Sequence, residues 1–191
     1  GNGKSKLVEL LDNGMGDYSC TLPVTLMTQK RARAEAADPV LASLPGKRFG
    51  CMQEPDKDEE IHVGFMKQLT GGDKLLARAL HKDPIEFKPQ IKVVMCCNVL
   101  PSVSDNDDGT WRRIRQVDFR SEFVDLEDYK IKKAQGLVDD KERPIYIKDL
   151  KLKEKLPKWV QVFTSILIER VNQTGGIVKD CPMVLEASKR Y

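Results

Sequence analysis

The opening residues constrain this chain most: Gly1-Asn2-Gly3-Lys4-Ser5 runs straight into KLVELLD, where Leu7, Val8, Leu10 and Leu11 recur at helical spacing. A glycine turn that becomes an amphipathic helix gathers several backbone N–H groups and the positive end of the helix dipole at one point, which suits a phosphate. GNGKS matches the second half of the G-x-x-x-x-G-K-[ST] loop. Gly1, Asn2 and Gly3 are therefore expected to wrap the phosphates, Lys4 to reach their β and γ groups, and Ser5 to ligate Mg²⁺, with ATP as the nucleotide. Such a loop joins a strand to a helix, so the motif predicts an α/β fold. The strand and the first loop glycines are expected ahead of Gly1, as if the chain were cut inside its own loop.

A length of 191 residues gives room for one α/β domain with a short appendage. A net charge of +3 excludes a polycation that coats nucleic acid by bulk electrostatics, so any DNA contact must be local. The five cysteines have no zinc-like spacing, which points to a reducing, intracellular setting in the cytosol or nucleus. No apolar run has the length of a membrane span, and GNGKSK is not a signal peptide.

Periodicity then orders the rest. Residues 13–28 read as loop with one short extended piece near Leu22 to Met27, and RARAEAADPVLASL as helix in two pieces divided at Pro39. KRFGCMQE predicts a strand ending in acid, IHVGFMKQLTG a helix, and LLARAL with IEFKP a hairpin around His81-Lys82-Asp83. The apolar run IKVVMCC predicts a parallel strand covered on both faces, ending at Asn98. WRRIRQVDF alternates like an edge strand with its arginines outward, and residues 120–148 read as linker and connecting structure. LPKWVQVFTSILIERV predicts a helix whose apolar side carries Trp159, Val162, Phe163, Ile166, Leu167 and Val171, and the last residues begin a further helix.

Chemistry concentrates at strand ends, where α/β sheets keep their sites. Glu54, supported by Asp56, is the candidate carboxylate near Mg²⁺ and the attacking water; the bland reading of QEPDKDEE is a solvated acidic run. Asn98 suits a polar sensor of the γ-phosphate, against a mere turn former. Arg112 and Arg113 carry the planar donor fork that stabilises charge on a transferring phosphoryl group, although surface arginines are commoner. Lys67, His81 and Lys82 are candidates for contact with the DNA backbone, against ordinary solvated side chains.

In order, GNGKS, KRFGCMQEPD, FMKQLTGGDKLLARAL, FKPQIKVVMCCNVLP and DDGTWRRIRQVDF resemble the superfamily-three helicases, nearest to the primase-helicases of poxviruses and other large DNA viruses and of phages and plasmids. The resemblance implies an AAA+ P-loop NTPase: a central parallel sheet flanked by helices, a β-hairpin insertion before the sensor strand, and a mostly helical C-terminal tail. It implies an ATPase core over residues 1–120 and a linker with a helical, winged-helix-like start over 121–191. It also implies a Walker A motif at Lys4 and Ser5, and a Walker B motif at Glu54 and Asp56, which Pro55 separates where the family more usually has adjacent acids. Glu54 joins Ser5 at the metal, Lys67 falls before the channel hairpin, Asn98 is sensor one, and Arg113, with Arg112 second, is the arginine finger. The implied activity is an ATP-dependent DNA helicase working as a hexameric ring on single-stranded or forked DNA, with a primase module in the parent polypeptide, at a viral replication site in the host cytoplasm or nucleus. Two alternatives remain at this point: a P-loop kinase for a small molecule, and a nucleotide-incompetent DNA-binding or ring-forming fragment.

Overall fold

The computed structural model describes residues 2–30, 36–53, 59–104 and 107–191. The chain forms two compact units, one of residues 1–14 and 116–187, the other of 15–115 and 188–191.

The second unit is built on a parallel three-stranded sheet of β1 (Ser19–Leu22), β2 (Phe49–Gln53) and β5 (Lys92–Cys96), with β2 in the centre. Phe49 pairs with Ser19 on one side and Lys92 on the other. Helices cover this sheet because apolar residues on both layers need burial: α2 (Thr25–Thr28), α3 (Pro39–Ala42) and α4 (Val63–Gly71) contribute Met27, Leu41, Val63, Phe65, Met66 and Leu69 to a core that includes Leu22, Met52 and Ile91. Asp38 starts α3 by accepting the Leu41 N–H at 3.0 Å, with Pro39 in the first turn, so the proline begins a helix here. Of the piece expected before it, residues 31–35 lie outside those described and 36–38 are not helical.

His62 caps α4, its Nδ1 accepting the Phe65 N–H at 3.2 Å, and Gly72 ends the helix with φ +82°. Only glycine adopts that conformation freely, and a Cβ there would also stand 3.4 Å from Lys88 Cε. Gly72→Ala should therefore lower stability by about 1 kcal/mol; a thermal melt matching wild type would show that the turn relaxes at no cost. After Gly72 the chain enters β3 (Leu75–Ala77), which pairs antiparallel with β4 (Ile85–Phe87) around a tip at residues 78–84.

Three expectations need correction in this unit. The extended piece lies earlier, at β1, and the run from Leu22 to Met27 leaves the strand and turns into α2. IKVVMCC does form a parallel strand, but β5 is the edge of the described sheet: Lys92 is exposed and Val94 is 36% exposed. An apolar run reports the hydrophobicity of a strand, not how many neighbours it has. WRRIRQVDF is not a strand. Asp107 caps a single helical turn, α5 (Asp108–Trp111), and residues 112–121 follow without regular pairing.

The first unit contains α1 (Lys4–Met15), which begins where its repeat of leucines predicts. Residues 120–148, read as linker, instead form a β-α-β element: β6 (Glu122–Val124), α6 (Leu126–Ala134) and β7 (Ile145–Ile147), with the strands parallel and Phe123 paired with Tyr146. Those two rings stack at 5.7 Å, and Lys132 bonds Glu122 at 2.8 Å, tying the crossover helix to the strand. The 23-residue α7 (Leu152–Thr174) matches its periodicity and ends at Gly175. Much of its expected apolar side is open, with Trp159 45% and Val162 62% exposed. The last element is α8 (Pro182–Arg190). Among the described residues, no helix is long and apolar enough to cross a membrane.

Candidate phosphate loop and nucleic-acid interface

The glycine turn at the chain's start has the geometry its sequence suggests. Gly3 adopts φ +88°, and the backbone N–H groups of Lys6 and Leu7 both donate to its carbonyl at 3.1 Å, closing the first turn of α1. No acidic side chain stands in that turn, Lys4 is half-buried and Ser5 is exposed. The Asn2 side-chain amide donates to the Phe119 carbonyl at 3.4 Å, and the Phe123 ring lies 3.5 Å from where a Gly3 Cβ would be. The β6 strand thus borders the turn. At the far end of α1, a Cβ on Gly14 would stand 3.1 Å from Thr164 Oγ1 of α7. A helix N-terminus with no acid in its own first turn, entered through a positive-φ glycine, fits a phosphate group. Gly1, Glu54 and Asp56 lie outside the described residues. Among the described residues no three His, Cys, Asp or Glu side chains gather as a metal site; Mg²⁺ commonly relies on one or two protein oxygens and the phosphates themselves.

The remaining candidates all fall in the second unit. Asn98 is exposed, two residues beyond the end of β5, and lines an open cavity of about 650 Å³ with Trp111 and Tyr191. The Tyr191 hydroxyl donates to the Pro101 carbonyl and its ring meets Trp111 edge-on at 5.5 Å. Burial pushes this phenol up to about 12, so it stays a donor at neutral pH.

His81 and Lys82 sit exposed at the tip between β3 and β4, where His81 adopts φ +58°. They border an open cleft of about 840 Å³ together with Arg78, a residue that sequence reasoning passed over because it lies inside the apolar run LLARAL that flanks the tip. Three cationic or titratable side chains therefore share one surface with Asp83.

Lys67 is not on that surface. It stands on α4 and forms an ion pair with Asp107 Oδ2, while Asp107 Oδ1 accepts the Thr110 N–H at 2.6 Å. The Lys67 ammonium, followed by the Thr110 N–H, holds the Asp107 carboxyl down to about 2, against its ordinary 3.8. Because the folded value is depressed, the pair's contribution is complete above the ordinary carboxylate range and is lost as pH falls through about 2. Nothing in the run of acids around Asp107 singles it out in sequence; the cap and the lysine do so in space.

Arg113 is half-buried, its Nη1 donating to the Gly109 carbonyl, and Arg112 is exposed. Arg115 turns back to the Arg112 carbonyl at 3.1 Å and the Ile114 carbonyl at 2.8 Å. The structure thus brings Lys67 to the start of the arginine turn through Asp107, and His81 and Lys82 to one cleft with Arg78.

Comparison with known proteins adds the relatives. A protein of Acanthamoeba polyphaga mimivirus named "Putative helicase" is 44% identical over 169 residues, covering 88% of this chain and 17% of that protein. A "Putative helicase" of Frog virus 3 is 37% identical over 127 residues, 64% of this chain and 13% of its own length. A "Putative primase" of African swine fever virus is 26% identical over 197 residues, spanning 100% of this chain and 20% of that protein. The chain therefore spans a fifth or less of the length of these relatives. The model of a family of unknown function, DUF5906, matches residues 1–113, which hold the glycine turn, the parallel sheet, the hairpin and the arginine pair. With more than half its length inside that match, and with helicase- and primase-named relatives in large DNA viruses, the chain belongs to the DUF5906 family.

Proposed function

We propose that this chain is part of the ATP-driven motor of a viral DNA helicase of the AAA+ superfamily-three type, acting within a longer polypeptide that also carries a primase module and assembles as a hexameric ring. The observation that carries the reading is the turn at Gly3: a positive-φ glycine feeding a 12-residue helix with no acid in its first turn. In this reading Asn2, Gly3 and the first N–H groups of α1 hold the ATP phosphates, and Lys4 places its ammonium against the β and γ groups. Mg²⁺, bound by the phosphates and the Ser5 hydroxyl, would neutralise charge on the transferring group, with Glu54 or Asp56 as the proposed carboxylate. Asn98 serves as the polar sensor, and Arg113, with Arg112 beside it, acts on the nucleotide of the adjoining subunit. The replication site would lie inside the infected cell.

Arg78, His81 and Lys82 form the DNA-facing surface, which touches the phosphate backbone of a single strand. Among the described residues no Phe, Tyr or Trp lines this cleft, so the proposed contact is electrostatic rather than by base stacking. Affinity of the full-length protein for single-stranded DNA should fall roughly tenfold or more over a few-fold rise in salt, and Lys82→Ala should flatten the slope by about one. Binding that ignores salt would remove the tip from the DNA path. Helicase names among the relatives support this reading over a small-molecule kinase, which would transfer phosphate to a soluble acceptor without DNA stimulation.

A further inference from the structure

We propose that Lys67 is a positioning residue: through Asp107 it holds the α5 turn against α4 and so fixes the direction in which Arg112 and Arg113 leave the fold. The proposal rests on the reading of those arginines as the group that acts across the subunit boundary.

The α5 helix is four residues long, too short to form without help from outside itself. One carboxylate supports it twice. Asp107 Oδ1 caps the turn through the Thr110 N–H, and Oδ2 meets Lys67, so one side chain joins the start of α5 to α4. Lys67 is well anchored for that purpose, because its neighbours Phe65, Met66 and Leu69 are all buried in the core. At the other end of the turn Arg113 donates to the Gly109 carbonyl, and its Nη2 lies 3.8 Å from the position a Cβ on Gly71 would occupy, beside the last residue of α4. Between these two ties Thr110 is completely buried. The turn that presents the arginines thus rests on α4 at both ends, and α4 itself passes through Gly72 into the hairpin. A surface ion pair adds little to stability in general. Here its consequence is direction: without it the capped turn keeps Thr110 and its contact at Gly71 but loses the tie to α4 at its start.

The test compares Lys67→Met, Asp107→Asn, their double variant and Lys67→Arg in the full-length protein. Asp107→Asn keeps an oxygen for the Thr110 N–H and removes the charge. Each single variant should lower kcat for DNA-stimulated ATP turnover about tenfold, since displacing a catalytic group by a fraction of an ångström to one ångström costs up to about 100-fold. KM for ATP and affinity for single-stranded DNA should stay within about twofold of wild type, the double variant should lose no more than the worse single, and Lys67→Arg should recover most of the rate. If Lys67→Met instead weakens DNA binding and flattens its salt dependence while Asp107→Asn leaves kcat unchanged, Lys67 is a DNA contact and the positioning role is overturned. Losses that add in the double variant overturn it too. Should Lys67→Met not fold, Lys67→Gln carries the same comparison. Arg112→Ala and Arg113→Ala separate the two claims: full turnover in both sinks the arginine reading, whereas lost turnover there with none lost at Lys67 and Asp107 sinks the positioning role alone.

Discussion

Replacing Lys4 by alanine is expected to lower ATP turnover by the full-length protein on the order of 100- to 1000-fold, the usual cost of deleting one charge-stabilising group from a site built around developing negative charge. Gly3 at φ +88° turns the backbone into α1, whose own first turn carries no acid, and Lys4 is the first residue of that helix. The dipole and N–H groups remain in the variant, so ATP should still bind, more weakly. What disappears is the mobile ammonium that follows charge onto the γ-phosphate. Phosphate release is the readout, with circular dichroism as the check that α1 persists. Turnover within about threefold of wild type would place the nucleotide somewhere other than this helix, because a lysine contributing a charge-assisted contact cannot be deleted so cheaply.

The second large effect is expected at the arginine turn. Arg113→Ala should reduce turnover by about 10³-fold or more, the range over which arginine fingers act. Arg112→Ala is its necessary companion. The exposed Arg112 is open to a neighbouring molecule, and Arg113 has one Nη1 donor on the Gly109 carbonyl with further donors in its fork. Titrating mutant subunits into wild-type protein separates an action in trans from one in cis. With a finger supplied across a boundary, total activity drops more steeply than the wild-type fraction. A linear decline would mean that each subunit uses its own arginines or none.

Several of these elements were legible in sequence because they rest on local rules. Leu7 to Leu11 mark α1, Gly72 and Gly175 punctuate α4 and α7, and the alternating runs around His81 pair as β3 and β4. The β6-α6-β7 element escaped because three-residue strands carry a single alternation, too little to distinguish EFV and IYI from loop. The acidic start and basic end of α6, Glu127 and Asp128 against Lys132 and Lys133, are the sequence signal of that helix. The α5 turn escaped for a different reason. The alternation in WRRIRQVDF is genuine, but Asp107 caps a helical turn that takes in Trp111, and among the described residues no strand pairs with the rest. Within the candidate site, residue types were readable and partners were not: sequence offered Lys67 as a DNA contact, and only the fold shows that its ammonium meets Asp107. Arg78 likewise joined His81 and Lys82 through the shape of the hairpin tip.

Both arms of the reading, the phosphate turn and the DNA-facing tip, meet in one quantity: the rate of Mg-dependent ATP hydrolysis by the full-length protein with and without single-stranded DNA. The account predicts hydrolysis that rises when DNA is added, falls back as salt strips the DNA away, and is lost in Lys4→Ala. Hydrolysis absent under every condition, or present and indifferent to DNA, would contradict it.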